Sequence, residues 1–135
     1  MTNNMARILF LDDNPFRHSA LKKNSTQFSV DHVYTANEAL KRLSIENYDM
    51  IMLDHDLNED PDTLKINPDG EYVAAYMSKN MQQHRETPII IHSLNQPGSM
   101  RMQKLLEDGG YMFIHLIPFA WQKLRHQQGQ PVFIK

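Results

Sequence analysis

Short runs of apolar residues alternate along the chain with segments whose apolar positions recur every three or four residues. A short apolar run bounded by turn residues favours a buried strand, and the wider spacing favours an amphipathic helix. This alternation predicts a parallel sheet with helices covering both of its faces. The predicted strands are 6–11, 30–34, 50–53, 88–91 and 111–117.

Five helices are expected to alternate with these strands. They are expected to begin at or just after Asn14, Thr35, Gly70, Pro97 and Phe119. Asn14 and Thr35 are typical N-cap residues, and Glu38 lies three residues after Thr35, as in a capping box. The last helix is predicted to cover 119–126, and the tail 131–134 is predicted to add a C-terminal edge strand. The pattern predicts an α/β fold, with a doubly wound, five-stranded parallel sheet in a single domain over residues 1–135.

Composition narrows the class of protein. The 135 residues and 41% hydrophobic content suit one globular domain. A net charge of -2 gives no broad basic surface for nucleic acid. The absence of cysteine excludes disulfides, thiol catalysis and cysteine-bound zinc. No apolar run approaches the roughly 20 residues that span a bilayer, and the N-terminus does not resemble a signal peptide. We therefore expect a cytoplasmic protein without a membrane partner.

Polar side chains follow the predicted strands where each strand ends. Ligands bind at the carboxyl ends of the strands in an open parallel sheet, so side chains from neighbouring strand ends are expected to converge there. The carboxylates of Asp12, Asp13 and Asp54 would repel one another if they converged within a few ångströms. A hard divalent cation such as Mg²⁺ or Mn²⁺ relieves this repulsion. The alternative is that these acids only cap helices. The strand-end residues are Asp12 and Asp13, then Asp54, His55 and Asp56, then His92 and Ser93, and more weakly His115.

Several of these motifs resemble the response-regulator receiver domain, which has a flavodoxin-like fold. They are the segments 8–13 and 52–54, the single residue Ser93, and the pair 118–119. The resemblance implies that Asp12, Asp13 and Asp54 bind Mg²⁺ and that Asp54 accepts a phosphoryl group. It also implies that the backbone carbonyl of Asp56 completes the protein ligands and that Ser93 contacts the phosphoryl group.

Two positions depart from the receiver pattern. A receiver domain carries lysine immediately before the proline of strand five, where this chain has Ile117. The aromatic switch residue is replaced by Ile114, although Phe113 lies beside it. Without that lysine the protein lacks a positive charge that stabilises the phosphoryl anion, so an ordinary phosphorelay role is in question.

Other motifs are similar to a divergent receiver family named for proposed cyclic-phosphate processing. They are the segment Leu-Asp-His-Asp-Leu at 53–57, His-Ser-Leu-Asn at 92–95 and the stretch 11–17. The resemblance implies metal-dependent action on cyclic or terminal phosphates of nucleotides or RNA ends.

The surplus polar residues suit such chemistry. His55 or His92 would act as general acid or base, because histidine titrates near neutral pH. Arg17 lies one helical turn after Asp13 and would replace the missing lysine as a phosphate clamp. Ser93 and Asn95 would donate hydrogen bonds to the phosphate.

Each of these residues also has a simpler interpretation. His55 would merely cap a loop, His92 would be turned away from Ser93 by strand alternation, and Arg17 would pair with Asp13 or face solvent. His115 is expected to be packed within its strand. Four histidines are expected at the surface: His18, His32, His84 and His126.

Two further segments have less definite roles. The long polar loop 58–69 is interpreted as a lid over the site, because loops of this length are usually functional or mobile. Trp121 on the last helix is interpreted either as part of a partner surface or as part of an ordinary cover helix.

Two functions remain open from the sequence, beside a third interpretation in which the domain is purely structural and binds no metal. The first is a metal-dependent phosphoesterase acting on a phosphate-containing small molecule or an RNA end. The second is an atypical receiver, without an attached output segment, that signals through Asp54 or through contact with a partner protein.

Overall fold

A five-stranded parallel sheet forms the centre of the protein in a computed structural model that describes residues 5–57 and 68–134. Its strand order is β2-β1-β3-β4-β5, and every neighbouring pair is parallel. The strands are β1 (Arg7–Leu11), β2 (Ser29–Val33), β3 (Met50–Leu53), β4 (Ile89–Ile91) and β5 (Ile114–Leu116). The predicted doubly wound fold is confirmed.

Helices connect the strands and cover both faces of the sheet. They are α1 (Pro15–Asn24), α2 (Ala36–Ile45), α3 (Gly70–Asn80), α4 (Gln96–Asp108) and α5 (Ala120–Lys123), with a 3₁₀ turn at Gln82–His84. The expected caps form: the side chains of Asn14 and Thr35 accept hydrogen bonds from the backbone amides of Phe16 and Glu38. No helix within the described ranges is long and apolar enough to cross a membrane.

The core has two parts because successive strand residues point to opposite faces of the sheet. Leu9, Ile51 and Ile89 pack on one face against α2, α3 and α4. Phe10 and Met52 pack on the other face against α1, α5 and the C-terminal segment. The three central strands are therefore apolar at nearly every position, which produces the continuous runs in the sequence.

The C-terminal segment differs from the prediction. The last helix ends at Lys123 instead of residue 126, and Leu124–Gln127 forms a strand, β6. β6 pairs antiparallel with β7 (Gln130–Phe133), so the expected extra strand exists but joins a separate two-stranded sheet. Leu124 and Phe133 face each other in this hairpin and both pack toward Phe10. This tertiary contact outweighs the helical pattern of the segment.

Several smaller predictions also need correction. β5 covers three residues rather than 111–117. His115 is exposed, not packed, because β5 is an edge strand whose other side chains face the opposite side of the sheet. His18 and His84 are buried rather than at the surface, and a hydrogen bond from each ring to a backbone carbonyl offsets the cost of that burial. His32 is half-buried, and only His126 is exposed as expected. The proposed lid at 58–69 lies, apart from Pro68 and Asp69, outside the described residues.

The hairpin should be integral to the core, which a single truncation can test. Leu124→Ala removes a fully buried side chain and should lower the free energy of unfolding by about 2–5 kcal/mol. Urea denaturation followed by circular dichroism measures the change. Gln127→Ala, at an exposed position of the same strand, is the matched control and should shift stability by less than about 0.5 kcal/mol. Equal stability of the two variants would contradict a structural role for the hairpin.

Candidate functional site

Three carboxylates meet at the carboxyl ends of β1 and β3. The register pairs Leu11 with Leu53, so the residues that follow these strands are neighbours. Carboxylate oxygens of Asp12, Asp13 and Asp54 all lie within 4.8 Å of one another. The structure thus brings together the acid triad expected from the sequence.

Burial makes this arrangement electrostatically costly. Asp12 is fully buried and Asp54 nearly so. Burial and, second, the charge of Asp12 raise the pKa of Asp54 to about 7. Burial also raises the pKa of Asp12, although the backbone amide of Asn14 and the charge of Arg17 oppose this. Two carboxylates about 4 Å apart repel by roughly 4 kcal/mol at an effective dielectric constant near 20. The site therefore favours a cation or a proton.

Arg17 supplies part of that positive charge. Its Nη1 lies 3.3 Å from Asp12 Oδ2 and 3.4 Å from Asp54 Oδ2. Its guanidinium carbon lies 5.0 Å from the centre of the Trp121 ring, within cation–π range. Arg17 thus points back toward the acids as expected, and its ion-pair partners are Asp12 and Asp54.

An open pocket of about 360 Å³ adjoins these residues. Charged and polar groups from three strand ends reach it, with the start of α1 forming one wall. The lining residues are Asp13, Asn14, Pro15, Phe16, Arg17, Asp54, Asp56, Ser93 and Leu94. We call this the acidic pocket.

Ser93 and Asn95 have different positions relative to this pocket. Ser93 lines it, and its Oγ accepts a hydrogen bond from the backbone amide of Asn95 at 3.0 Å. The side chain of Asn95 caps α4 by accepting from the amide of Gly98, and it donates to Asp56 Oδ1 at 3.0 Å. Asn95 does not line the acidic pocket, so its phosphate-binding role stays a prediction.

His55 is buried between carboxylates rather than in the acidic pocket. Its Nδ1 lies 2.6 Å from Asp56 Oδ1 and its Nε2 lies 2.8 Å from Glu71 Oε1. Burial lowers the pKa of His55, but the hydrogen bonds to Asp56 and Glu71, with nearby carboxylate charges, together outweigh that effect. The pKa of His55 therefore lies above its ordinary value. A charged His55 donates from both nitrogens. Its acid–base role stays a prediction, and its visible task is to hold the Asp56 side chain.

Two glycines allow the helices α3 and α4 to approach the Asp54–His55 segment. A Cβ added at Gly98 would lie 2.5 Å from a ring carbon of His55. A Cβ added at Gly70 would overlap the carbonyl oxygen of Asp54, while the amide of Gly70 donates to the His55 carbonyl at 2.8 Å. Glycine is therefore required at both positions for the observed packing.

His92 lies behind the acid triad. It is fully buried, stacks on Phe10 with ring centres 4.9 Å apart, and donates from Nε2 to the Leu11 carbonyl at 3.1 Å. Burial lowers the pKa of His92 to about 3, so the ring is neutral. Its Nδ1 lies 3.7 Å from Asp12 Oδ2. Strand alternation turns His92 away from the acidic pocket that Ser93 lines, and its catalytic role stays a prediction.

Two contributors to the site were not predicted from the sequence. Glu71 fixes His55, and together with Asp69 these residues form a second group whose ligand atoms lie within 4.8 Å of one another. His18 donates from Nε2 to the Asp12 carbonyl at 2.7 Å, and its Nδ1 lies 2.6 Å from Nδ1 of His32. The position of Glu71 beside Gly70, at the start of α3, was the available signal for the first. No local pattern marked the second.

A family model described as "Cyclic-phosphate processing Receiver domain" matches residues 7–108. This match covers well over half of the chain. The chain belongs to the cyclic-phosphate processing receiver domain family.

Solved structures support the same fold for this receiver domain. The phosphorylated cyanobacterial phytochrome response regulator RcpA has a TM-score of 0.60 at 19% identity, covering 84% of this chain and 80% of that one. The Mn²⁺-bound response regulator Rcp1 has a TM-score of 0.59 at 18% identity, covering 83% and 80%. TrrA from Thermotoga maritima, in complex with Mg²⁺ and BeF, has a TM-score of 0.61 at 22% identity, covering 84% and 86%. No curated protein matches the chain.

The departures from the ordinary receiver pattern are visible in this receiver domain. Ile117 is half-buried and packs in the Phe10 cluster, and Ile114 packs on the opposite face of the sheet. Neither contributes a charge or a ring to the acidic pocket. Asp56 holds its side chain toward His55 and Asn95, and the role of its carbonyl as a metal ligand stays a prediction.

The raised pKa of Asp54 gives a pH dependence of stability in a buffer free of divalent cations. Its folded-state pKa of about 7 exceeds the ordinary 3.8, so the folded protein retains a proton that the unfolded chain releases. Wild-type stability should therefore fall between about pH 4 and pH 7, with a slope approaching about 1.4 kcal/mol per pH unit from this group. Asp54→Asn should remove this loss, and its advantage over wild type should grow from pH 5 to pH 7.

Urea midpoints of the two proteins at several pH values measure this difference. Asp108→Asn is the matched control, because Asp108 is 66% exposed and remote from the site. Parallel pH profiles for wild type and Asp54→Asn would contradict a raised pKa at Asp54.

Proposed function

We propose that this receiver domain binds Mg²⁺ or Mn²⁺ and processes a cyclic or terminal phosphate of a nucleotide or an RNA end. The observation that carries the proposal is the acid triad beside an open pocket that Arg17 and Ser93 also line. The family description points to the same phosphate chemistry.

The donor set fits a hard divalent cation. Asp12, Asp13 and Asp54 offer carboxylate oxygens, which Mg²⁺ and Mn²⁺ prefer over nitrogen or sulfur ligands. Burial raises the pKa values of Asp12 and Asp54, so the site favours a bound proton or a cation in its place. The contacts of Arg17, at 3.3–3.4 Å, are also longer than the roughly 2.7–2.9 Å of strong charge-assisted hydrogen bonds. With the carbonyl of Asp56, these side chains would hold the ion.

A bound cation of this kind supplies Lewis-acid polarisation of a phosphoryl oxygen. Arg17 and Ser93 are the residues that would contact the phosphate, because both line the acidic pocket. Arg17 would bind the phosphoryl oxygens as a cation, and Ser93 would donate through its hydroxyl. His92 and His55 act in this proposal as positioning residues, since one holds the Leu11 carbonyl and the other the Asp56 side chain.

The reaction proposed for such a site is hydrolysis of a cyclic phosphate, for example a 2′,3′-cyclic phosphate. The oxygen of water would form a new bond to phosphorus, and one of the two ester bonds to the ribose would break. The proton released by water would end on the freed ribose hydroxyl. The product is a nucleoside monophosphate, and no oxidant or second substrate is needed.

Turnover of 2′,3′-cyclic nucleotides in the presence of Mg²⁺ or Mn²⁺ tests this function. Asp54→Ala should reduce the rate by at least about 100-fold, because it removes a charged group from the centre of the site. Asp108→Asn, which changes an exposed acid remote from the triad, should leave the rate unchanged. Chromatographic detection of the monophosphate product measures both. Equal rates for wild type and Asp54→Ala, or no turnover across a panel of cyclic and terminal phosphates, would sink the proposal.

One observation supports a second candidate, an atypical receiver that signals through Asp54. Asp54 and Ser93 line the same pocket, and the resemblance to receiver domains implies that these residues accept and contact a phosphoryl group. Two of the similar solved structures are of a phosphorylated regulator and of a regulator with Mg²⁺ and BeF. A phosphoryl group on Asp54 would lie beside Arg17, which could replace the absent lysine as its counter-ion.

Beryllofluoride titration with Mg²⁺ distinguishes this candidate from the first. Trp121 is the only tryptophan of the chain and lies against Arg17, so its fluorescence should report a new anion beside Asp54. Signalling through Asp54 predicts a metal-dependent fluorescence change that is absent in Asp54→Ala. No change in the wild-type protein would count against signalling by phosphorylation.

A further inference from the structure

A second pocket adjoins the acidic pocket. Its volume is about 330 Å³, and it lies between the start of α4 and the end of β5. Ser93 and Leu94 line both pockets, so the two lie side by side along the loop between β4 and α4. The lining residues are Ser93, Leu94, Gln96, Ser99, Leu116 and Pro118. We call this the neutral pocket.

The two pockets differ in charge. The acidic pocket is lined by Asp13, Arg17, Asp54 and Asp56, whereas every residue lining the neutral pocket is uncharged. Half of the neutral lining is apolar, and the other half offers hydroxyl or amide groups. A ligand that filled both pockets would therefore carry its charge at one end and an uncharged, partly polar group at the other.

The buried hydroxyl of Ser99 is evidence that the neutral pocket is a ligand site. The residue is 3% exposed, and its Oγ has no hydrogen-bond partner within the part of the chain that the structure describes. Its backbone amide is already bonded to the Asn95 carbonyl at 2.9 Å, so only the hydroxyl is unsatisfied. A buried hydroxyl without a partner destabilises the site, and a hydrogen bond to a ligand would remove that penalty.

Neighbouring polar groups extend this surface. Gln96 lies three residues before Ser99 and therefore on the same side of α4. Ser93 stands at the junction of the pockets. Its oxygen accepts from the Asn95 amide, which leaves its hydroxyl hydrogen to donate to a ligand.

We propose that the neutral pocket binds the nucleoside part of a nucleotide whose phosphate occupies the acidic pocket. This inference rests on the proposed phosphate function and adds the place where the nucleoside part of the substrate binds. Leu94, Leu116 and Pro118 would contact the flat face of the base, and the Ser99 hydroxyl and Gln96 amide would bond to its polar edge. The volume is within the usual range for small-molecule sites of about 300–1,000 Å³. A second phosphate would meet no cation there, so a nucleoside monophosphate or its cyclic form fits better than a diphosphate.

Calorimetry with Mn²⁺ present, using a nucleoside 2′,3′-cyclic monophosphate and inorganic phosphate as separate ligands, tests the proposal. The wild-type protein should bind the nucleotide at least about 10-fold more tightly than phosphate, since one buried hydrogen bond and apolar contacts are added. Ser99→Leu, which fills the pocket, should remove this advantage. Ser99→Ala, which keeps the space but removes the hydroxyl, should weaken nucleotide binding by about 3- to 10-fold. Both variants should bind Mn²⁺ and inorganic phosphate as wild type does.

Two controls keep the outcome clear. Met100→Leu alters the adjacent, 57% exposed position of the same helix and should bind both ligands normally. Ribose 5-phosphate tests whether the base is recognised, and binding as tight as that of the nucleotide would overturn the assignment to a nucleoside. Circular dichroism verifies that Ser99→Leu is folded, and Ser99→Ala gives an independent test if it is not.

The failure of this inference is distinguishable from the failure of the proposed function. If Mn²⁺ and phosphate bind but the Ser99 variants bind the nucleotide as wild type does, the neutral pocket is not the nucleoside site and the phosphate function stands. If neither Mn²⁺ nor phosphate binds to the wild-type protein, both proposals are overturned.

Discussion

Repulsion among three carboxylates at one edge of the sheet is the constraint on which the rest of the site depends. The register between β1 and β3 fixes the backbone, so Asp12, Asp13 and Asp54 cannot move apart without breaking the centre of the sheet. Burial keeps water from fully screening Asp12 and Asp54, and it raises the pKa values of these two carboxyl groups. The surrounding contacts are best understood as means of holding this unfavourable group in place. Arg17 contributes charge, and backbone amides and buried rings contribute rigidity.

The rigidity comes from behind the acids. His92 and His18 hold the carbonyls of Leu11 and Asp12, and both rings pack around Phe10. Trp121 lies under Arg17 and against His92. An aromatic layer therefore connects the second core cluster to the acid triad, and the short α5 with its hairpin completes the cover. The site is fixed by core packing, whereas the residues that would meet a phosphate remain open to the acidic pocket.

The sequence predicted the sheet and the acid triad because both depend on local patterns. Apolar runs identify buried strands, and the residues that directly follow each run lie at the carboxyl end of that strand. It did not predict how Trp121, His18 or Glu71 enter the site, because these contacts join segments that are distant along the chain. His92 shows a limit of prediction from sequence. Its position next to Ser93 was evident, but only the fold shows on which face of the sheet its ring lies. The last helix was extended too far because Leu124 fits a helical stripe as well as it fits the hairpin contact with Phe133.

The glycines at the starts of α3 and α4 have a mechanical consequence. Because Gly70 and Gly98 lack side chains, the start of α3 packs directly against the backbone of Asp54 and the start of α4 packs directly against the ring of His55. The helices and the segment that they touch therefore form one clamp, in which neither α3 nor α4 can slide inward independently. A displacement of the loop that carries Ser93 would be transmitted through Gly98 to His55, and from there through Glu71 to the other helix. We therefore expect α3, α4 and the Asp54–His55 segment to be displaced together rather than separately.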